Sequence, residues 1–308
     1  MPWRSRGSSL GDVEGTTGEQ ANELREEMPM STTRPHWFST NPDKAWAEKF
    51  FLTFVPVFFA YNAVVQSMGW LDVGNFWHVV QNAGMWIPYC LLLPAWLRRH
   101  SGVHWRESYW FKYNLFMFVW VFYASYFHSE YFFDVLGMRY RFPEITLHLD
   151  SALVGPDEST ALAGFKKVPV GMYLNSVAFF IVYHTIAIVC MRRVRTMTTD
   201  WSLPVRRAAW VVIVGASALF FAWAETRLYI TGAASTNVWY EDLSSMLKYG
   251  SICYALYFVA SFPILYRLDE EMSQPRWSLS RCAIEASAVG AISLLLIDLW
   301  TAWFGPIV

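Results

Sequence analysis

Charge is what this chain has least of. Aspartate, glutamate, lysine and arginine together supply 16% of its 308 residues, where an ordinary soluble domain carries roughly 25%. That shortage excludes a solvated surface of normal extent. The net charge of −1, with arginines set beside apolar runs instead of gathered in a patch, leaves no footprint for nucleic acid. Cysteine is equally sparse: Cys90, Cys190, Cys253 and Cys282 fall in or beside apolar segments without a CxxC spacing. They read as packing residues, neither a disulfide framework nor a zinc site. His100 and His104 form an HxxxH, but seven histidines with no adjacent pair are too few for the histidine boxes of a di-iron desaturase. No metal is expected.

Apolar residues are what the chain has in excess, at 55%, with 18% aromatic. They gather in seven windows, roughly 50–71, 73–97, 109–136, 168–191, 208–230, 249–266 and 282–303. Each is long enough to cross a ~30 Å hydrocarbon core as a helix. Asn41 and Pro42 before the first window have the character of a cap and a first-turn proline. The expected fold is therefore all-α, a polytopic transmembrane bundle of about seven spans. Residues 1–35 are rich in Gly, Ser, Thr and Glu and contain no apolar leader core, so a disordered tail over 1–40 is expected before a multi-spanning domain over 41–308.

Lysine and arginine set the expected orientation. The connections 98–112, 192–207 and 267–281 carry four, five and three of them, and the intervening connections carry fewer or dilute them with acids. This alternation predicts a cytoplasmic N-terminus. The stretch 109–143 then stands out, because seventeen residues between Lys112 and Glu130 lack any charge yet include Asn114, Tyr126 and His128. Hydrocarbon tolerates such groups only where they face protein or a cavity.

Helical rise places several titratable groups at one depth. Glu130 lies about 30 Å from Trp110, Glu225 about 26 Å from Ala208 and Asp298 about 24 Å from Cys282, while His78 sits about 8 Å below the outer end of its own helix. Asn62 and Gln66 reach a comparable height on the first span. Ala218, Ala222 and Glu225 share one stripe, as do Ser287, Ala291, Leu294, Asp298 and Thr301. In a regular helix His128 and Glu130 point about 200° apart, so one of them at most is expected to face a shared cavity. The plainer readings are a Glu225 paired with Arg227 or tyrosine hydroxyls, a solvated Glu130, and His78 and His128 as bonds between helices. Most of the aromatic rings are expected to face lipid.

The blocks NPDKAWAEKFF, ESYWFKYNL, SYFHSEYFFDVLGMRYRFP, VYHTIAIVCMRRVR, WAETRLYI, CYALYFVASFPILYRLDE, WSLSRCAIEA and LLIDLWTAWFGPIV resemble, in order, successive blocks of the plant cycloeucalenol cycloisomerase family, the cyclopropyl sterol isomerases. The likeness runs from about Asn41 to the C-terminus. It implies a sterol biosynthesis enzyme that opens the 9β,19-cyclopropane ring of a 4α-methyl sterol to an 8-ene, with a sterol substrate, membrane lipid around it and no cofactor. Such a step needs an acid, a stabilised cation at C9 and a base for the C8 proton. A carboxylic acid in an apolar slot keeps its proton, and aromatic faces steady cations.

Of the residues matched by this resemblance, Glu225 or Asp298 is the expected acid and Tyr126 orients the relay, which Glu130 or His128, taken from the same layer and not from the family pattern, is expected to complete. His184, Tyr183, Asn114, Tyr131 and His78 are the expected substrate contacts, and Asp269 and Glu270 are expected to be structural. The chain departs from the plant pattern at His128 and Glu130, at Val177 in the fourth span, and in a longer polar connection over 144–167. Location follows the host: endoplasmic reticulum in a eukaryote, cytoplasmic membrane in a bacterium. Two other readings stand beside the enzyme, a non-catalytic sterol-binding or sensing protein and a small-molecule transporter. Against the latter, no inverted repeat is evident.

Overall fold

In the computed structural model, which describes residues 34–149, 166–229 and 236–307, the chain is mostly helical. Helix α1 is Pro42–Ser67, α2 Asn75–Trp86, α3 Leu93–Leu97, α4 Tyr109–Tyr126, α5 Ser129–Asp134 and α6 Val170–Met197. After these come α7 Leu203–Tyr229, α8 Leu243–Ser245, α9 Ser251–Tyr266 and α10 Leu279–Phe304. Among the described residues, five segments are long and apolar enough to cross a membrane: Pro42–Ser67, Val170–Met197, Leu203–Leu228, Leu243–Tyr266 and Leu279–Phe304. The expected tail lies outside the described residues as far as 33, and so does 150–165 of the polar connection. Residues 35–40 are packed on the helices: the Ser39 amide donates to Glu48 over 3.0 Å, and the Trp37 carbonyl accepts from Arg192.

The windows expected at 73–97 and 109–136 form helix in pieces. Between α2 and α3 the backbone widens into a π-helical turn, Ile87–Leu92, containing Pro88, which has no N–H to give to a regular ladder. The side-chain amide of Asn114 donates to the Cys90 carbonyl in that turn at 2.9 Å and to Trp110 at 2.7 Å. The second interruption lies at Phe127 and His128, whose amides both bond back to the Tyr123 carbonyl, and α5 starts anew at Ser129. The phase expected from one continuous helix therefore does not hold, and His128 and Glu130 are both buried. Gly290 of α10 lies against this break. A Cβ there would sit 2.5 Å from the Tyr123 ring, and the Gly290 carbonyl lies 3.1 Å from His128 Nε2.

The axis of the bundle is α6, not the 109–143 stretch singled out by its polar punctuation. Its apolar window is 78% buried, against 28% for those of α1 and α7, and it packs on α1, α2, α4, α7 and α9. From Val170 to Met191 it carries no aspartate, glutamate, lysine or arginine, and its serine and threonine hydroxyls close on its own backbone, as Thr185 does on Ile181 at 2.7 Å. A helix enclosed by protein on every side can be apolar all round.

The two ends of the bundle are closed differently. At one end the start of α1, the end of α6 and the turn after α9 meet in a buried ion network. Arg192 bonds Glu48 at 2.7 Å and Glu270 at 2.6 Å. Lys44 reaches Glu270 at 2.9 Å and the carbonyls of Tyr266 and Leu268. Lys112 pairs with Asp269, whose φ of 47° is a left-handed conformation unusual for a residue with a Cβ. Bonds from the Trp277 amide at 2.8 Å and from Asn41 to its carbonyl at 2.9 Å hold it there. The opposite end is capped by a short antiparallel pair, β1 Met138–Tyr140 on β2 Val238–Tyr240, with Arg139 opposite Trp239. This small sheet is an addition to the expected all-helical fold.

Candidate functional site

Glu225 stands where two spaces meet. It lies near the end of α7, whose fully buried Ala218 and Ala222 let that helix approach α9 closely. Its carboxylate accepts from the Tyr254 hydroxyl and from that of Tyr183. On one side is an inner cavity of about 90 Å³ lined by hydroxyls and amides, among them Ser125, Ser129, Asn175, Thr226, Tyr240 and Tyr257. On the other is an apolar cleft of about 410 Å³ between α1, α6 and α7, lined by Phe58, Asn62, Gln66, Phe179, Tyr183 and Phe221. The cleft opens outward: its rim residues Phe59, Phe220 and Leu228 are 52%, 59% and 68% exposed.

The wall beyond Glu225 is aromatic. Phe132 stacks on Tyr257 with centroids 5.4 Å apart and meets Tyr254 edge-on at 5.0 Å, while Tyr183 stacks on Phe221 at 4.9 Å. Burial pushes the phenol of Tyr240, on β2, well above its ordinary value, so it stays neutral and can donate. Asn175 lines the cavity and donates to Asn82 at 2.7 Å, and Asn82 in turn bonds the His78 carbonyl. A polar chain thus runs from the cavity into α2. His78 itself is buried with no hydrogen bond from a described residue to either ring nitrogen, and Gly171 brings α6 onto it so closely that a Cβ there would sit 2.3 Å from Nδ1.

The other expected site residues are spread around this core. Tyr183 is in the cleft beside Glu225, as the sequence reading requires. Asp298 is not: it is exposed on α10 and accepts from Tyr131 at 2.9 Å, so those two residues form a pair of their own away from the cavity. The reason is phase, since Ile297 is the buried residue of that turn. Tyr126 stacks on Phe122 at 5.2 Å outside the cavity. His128 lies behind its wall, ring to ring with Tyr257 at 5.1 Å. Glu130 is buried but absent from the cavity lining. His184 bonds Phe180 and Ser261, both at 2.8 Å, and braces α6 to α9. Asn114, stapled to the π turn, is committed elsewhere.

Sequence reasoning missed Asn175, Asn82, Thr226 and Tyr240, and left Tyr254 among rings expected to face lipid. Asn175 had a signal, a polar residue in an otherwise apolar helix. Tyr240 had none, because the short strand β2 brings it in. The four cysteines are all free. Among the described residues no group of His, Cys, Asp or Glu is placed to hold a metal ion.

No family model and no solved structure matches the chain. Compared with known proteins, it is 29% identical over 290 residues to the cycloeucalenol cycloisomerase of Arabidopsis thaliana, covering 91% of this chain and 94% of that one. A likeness along nearly the whole of both chains bears out the resemblance to the cycloeucalenol cycloisomerase family read from the eight sequence blocks.

Proposed function

We propose that the protein is a membrane sterol isomerase that opens the 9β,19-cyclopropane ring of a 4α-methyl cyclopropyl sterol, a conversion of the cycloeucalenol to obtusifoliol type. The observation that carries this reading is the position of Glu225, a carboxyl at the junction of an outward-opening apolar cleft and a hydroxyl-lined cavity. A cleft of about 410 Å³ falls in the range of small-molecule sites, whereas the inner cavity, about 90 Å³, suits a few waters.

In the proposed step Glu225, as the free acid, gives its proton to the C19 methylene. The C9–C19 bond breaks, its electron pair forms the new C–H bond, and C19 becomes the angular methyl on C10. The cation left at C9 faces aromatic rings, which stabilise it without trapping it. The Glu225 carboxylate, held by Tyr254 and Tyr183, takes the proton from adjacent C8, and the C8–H pair becomes the 8,9 double bond. Product and substrate have the same atoms, and no electron is gained or lost overall.

The ion network end is proposed to face the cytosol, in line with the lysine and arginine distribution. Seven crossings then follow, with 73–97 and 109–136 as the two interrupted spans. The membrane is that of the endoplasmic reticulum in a eukaryotic host or the cytoplasmic membrane in a bacterial one. Expression in a host supplied with cycloeucalenol tests the reading. Obtusifoliol in the wild-type culture and none with Glu225→Gln supports it, whereas sterol retained unchanged on a folded wild-type protein identifies a sterol-binding protein instead.

A further inference from the structure

At the ion network end a third space, of about 540 Å³, lies between the end of α6, the start of α7 and the end of α9. Its charged lining is of one sign: Arg195, Arg206, Arg207 and Arg267. Some arginines at this end are matched by carboxylates, as Arg98 is by Asp43 at 2.8 Å and Arg192 by Glu48 and Glu270. Arg206, Arg207 and Arg267 form no ion pair with a described residue. Arg195 has one distant acid, Glu271 at 3.8 Å, and its guanidinium lies over the rings of Trp210 and Tyr266, 5.9 and 5.4 Å from their centroids. That stacking holds one cation in place at the groove wall.

Apart from Thr198 and the Tyr266 hydroxyl the remaining lining is apolar, and it continues onto the membrane-facing side of α7. Leu203 and Val211 are 55% and 68% exposed, and Trp201 beside them is 53% exposed. Cations at the level of a helix end, with apolar surface running from them along the helix, match the two halves of one kind of molecule: a phosphate headgroup with acyl chains. Along α7 the groove lies about 27 Å from Glu225, counting from Arg207, so it is not part of the sterol site.

We infer that this groove is a binding site for an anionic glycerophospholipid, the arginines holding its phosphate and the exposed face of α7 its acyl chains. Charge complementarity selects the occupant, since a sterol or a zwitterionic lipid leaves the uncompensated guanidinium groups without an added negative charge. Basic pockets between spanning helices hold anionic headgroups in this way. The inference rests on the membrane reading of the fold and is independent of the isomerase reading.

The test uses the full chain in an uncharged detergent, with melting temperature followed as dioleoyl phosphatidylglycerol or dioleoyl phosphatidylcholine is added. A saturable rise is expected with the anionic lipid alone. The double variant Arg206→Gln with Arg267→Gln is expected to need roughly thirty-fold more of it for the same rise, from the contribution of each interfacial arginine. The single variant Arg207→Gln serves if the double variant does not fold. Arg99→Gln with Arg106→Gln, at the same end but outside the groove, is expected to respond like the wild type. Equal rises with both lipids, equal loss in the control variant, or an equal rise with inorganic phosphate alone each overturn the proposal. The last would identify a soluble anion as the ligand.

Discussion

The two ends of the bundle use the same residue types to opposite purposes. At the ion network end Glu48, Glu270 and Asp269 are each locked by Arg192, Lys44 or Lys112. At the other end Glu225 is held by two phenols and by no described cation. Glu270, facing Lys44 and Arg192, is held in its charged form and has no proton to offer. A carboxylate held by neutral donors can exist with or without its proton, and this is what acid catalysis requires. The comparison teaches that a buried carboxylate is told apart as brace or acid by its partners. Depth in the membrane does not decide it.

Removing a cation from the braced end should have the largest effect. Arg192→Met leaves Glu48 and Glu270 without their main partner and is expected to cost about 3–5 kcal/mol. It should be seen as loss of monodisperse protein or a steep fall in melting temperature. A melting temperature within a degree or two of wild type would sink the view that this network holds the bundle together.

Glu225→Gln should invert that pattern, reducing conversion roughly 10²–10⁴-fold, as loss of a general acid does, while the protein stays folded. Equal losses of activity and stability would make Glu225 a second brace. Asp298→Asn separates the two carboxylates that helical rise sets at one depth: because Asp298 is exposed and paired with Tyr131, activity should stay within about two-fold of wild type, a small surface effect.

Acid should act first on the braced end. Burial alone would raise the Glu270 carboxyl, but Lys44 and Arg192 outweigh it and hold it at about 2, below the ordinary 4.5. With the folded value depressed, the network's contribution is complete above the unfolded value. It is lost as pH falls from about 4.5 toward 2. Melting curves from pH 6 to 3 in uncharged detergent check this, and the slope below pH 4.5 should flatten in Glu270→Gln.

The smallest effect is expected at Ser261→Ala, which removes the partner of His184 Nε2 and should cost about 1 kcal/mol without changing turnover. A loss of turnover larger than the loss of stability would return His184 to the site.

The helical windows, the Asn41 cap with Pro42, and the singling out of Glu225 were legible because each rests on local chemistry. A carboxyl inside an apolar run is conspicuous on the page. Asp298 looked the same there, and only the rotation of α10, with Ile297 turned inward, sends it to the surface. Tyr254 was indistinguishable from its neighbouring rings until α9 packed on α7. Neither His128 nor Glu130 lines the cavity, in keeping with the expectation of one at most, but the cause is the break of α4 against Gly290 and not the phase of one continuous helix. None of these differences has a sequence signal of its own.

Apolar length and charge placement by themselves determined a helical, membrane-type chain with its basic connections at one end, because burying bare backbone in hydrocarbon is costly enough to force helices wherever such runs occur. Which carboxylates would meet cations and which would meet phenols was decided only when distant helices came together. An ion pair such as Arg192 with Glu48, or a hydroxyl donor such as Tyr254 to Glu225, joins residues that no local rule connects.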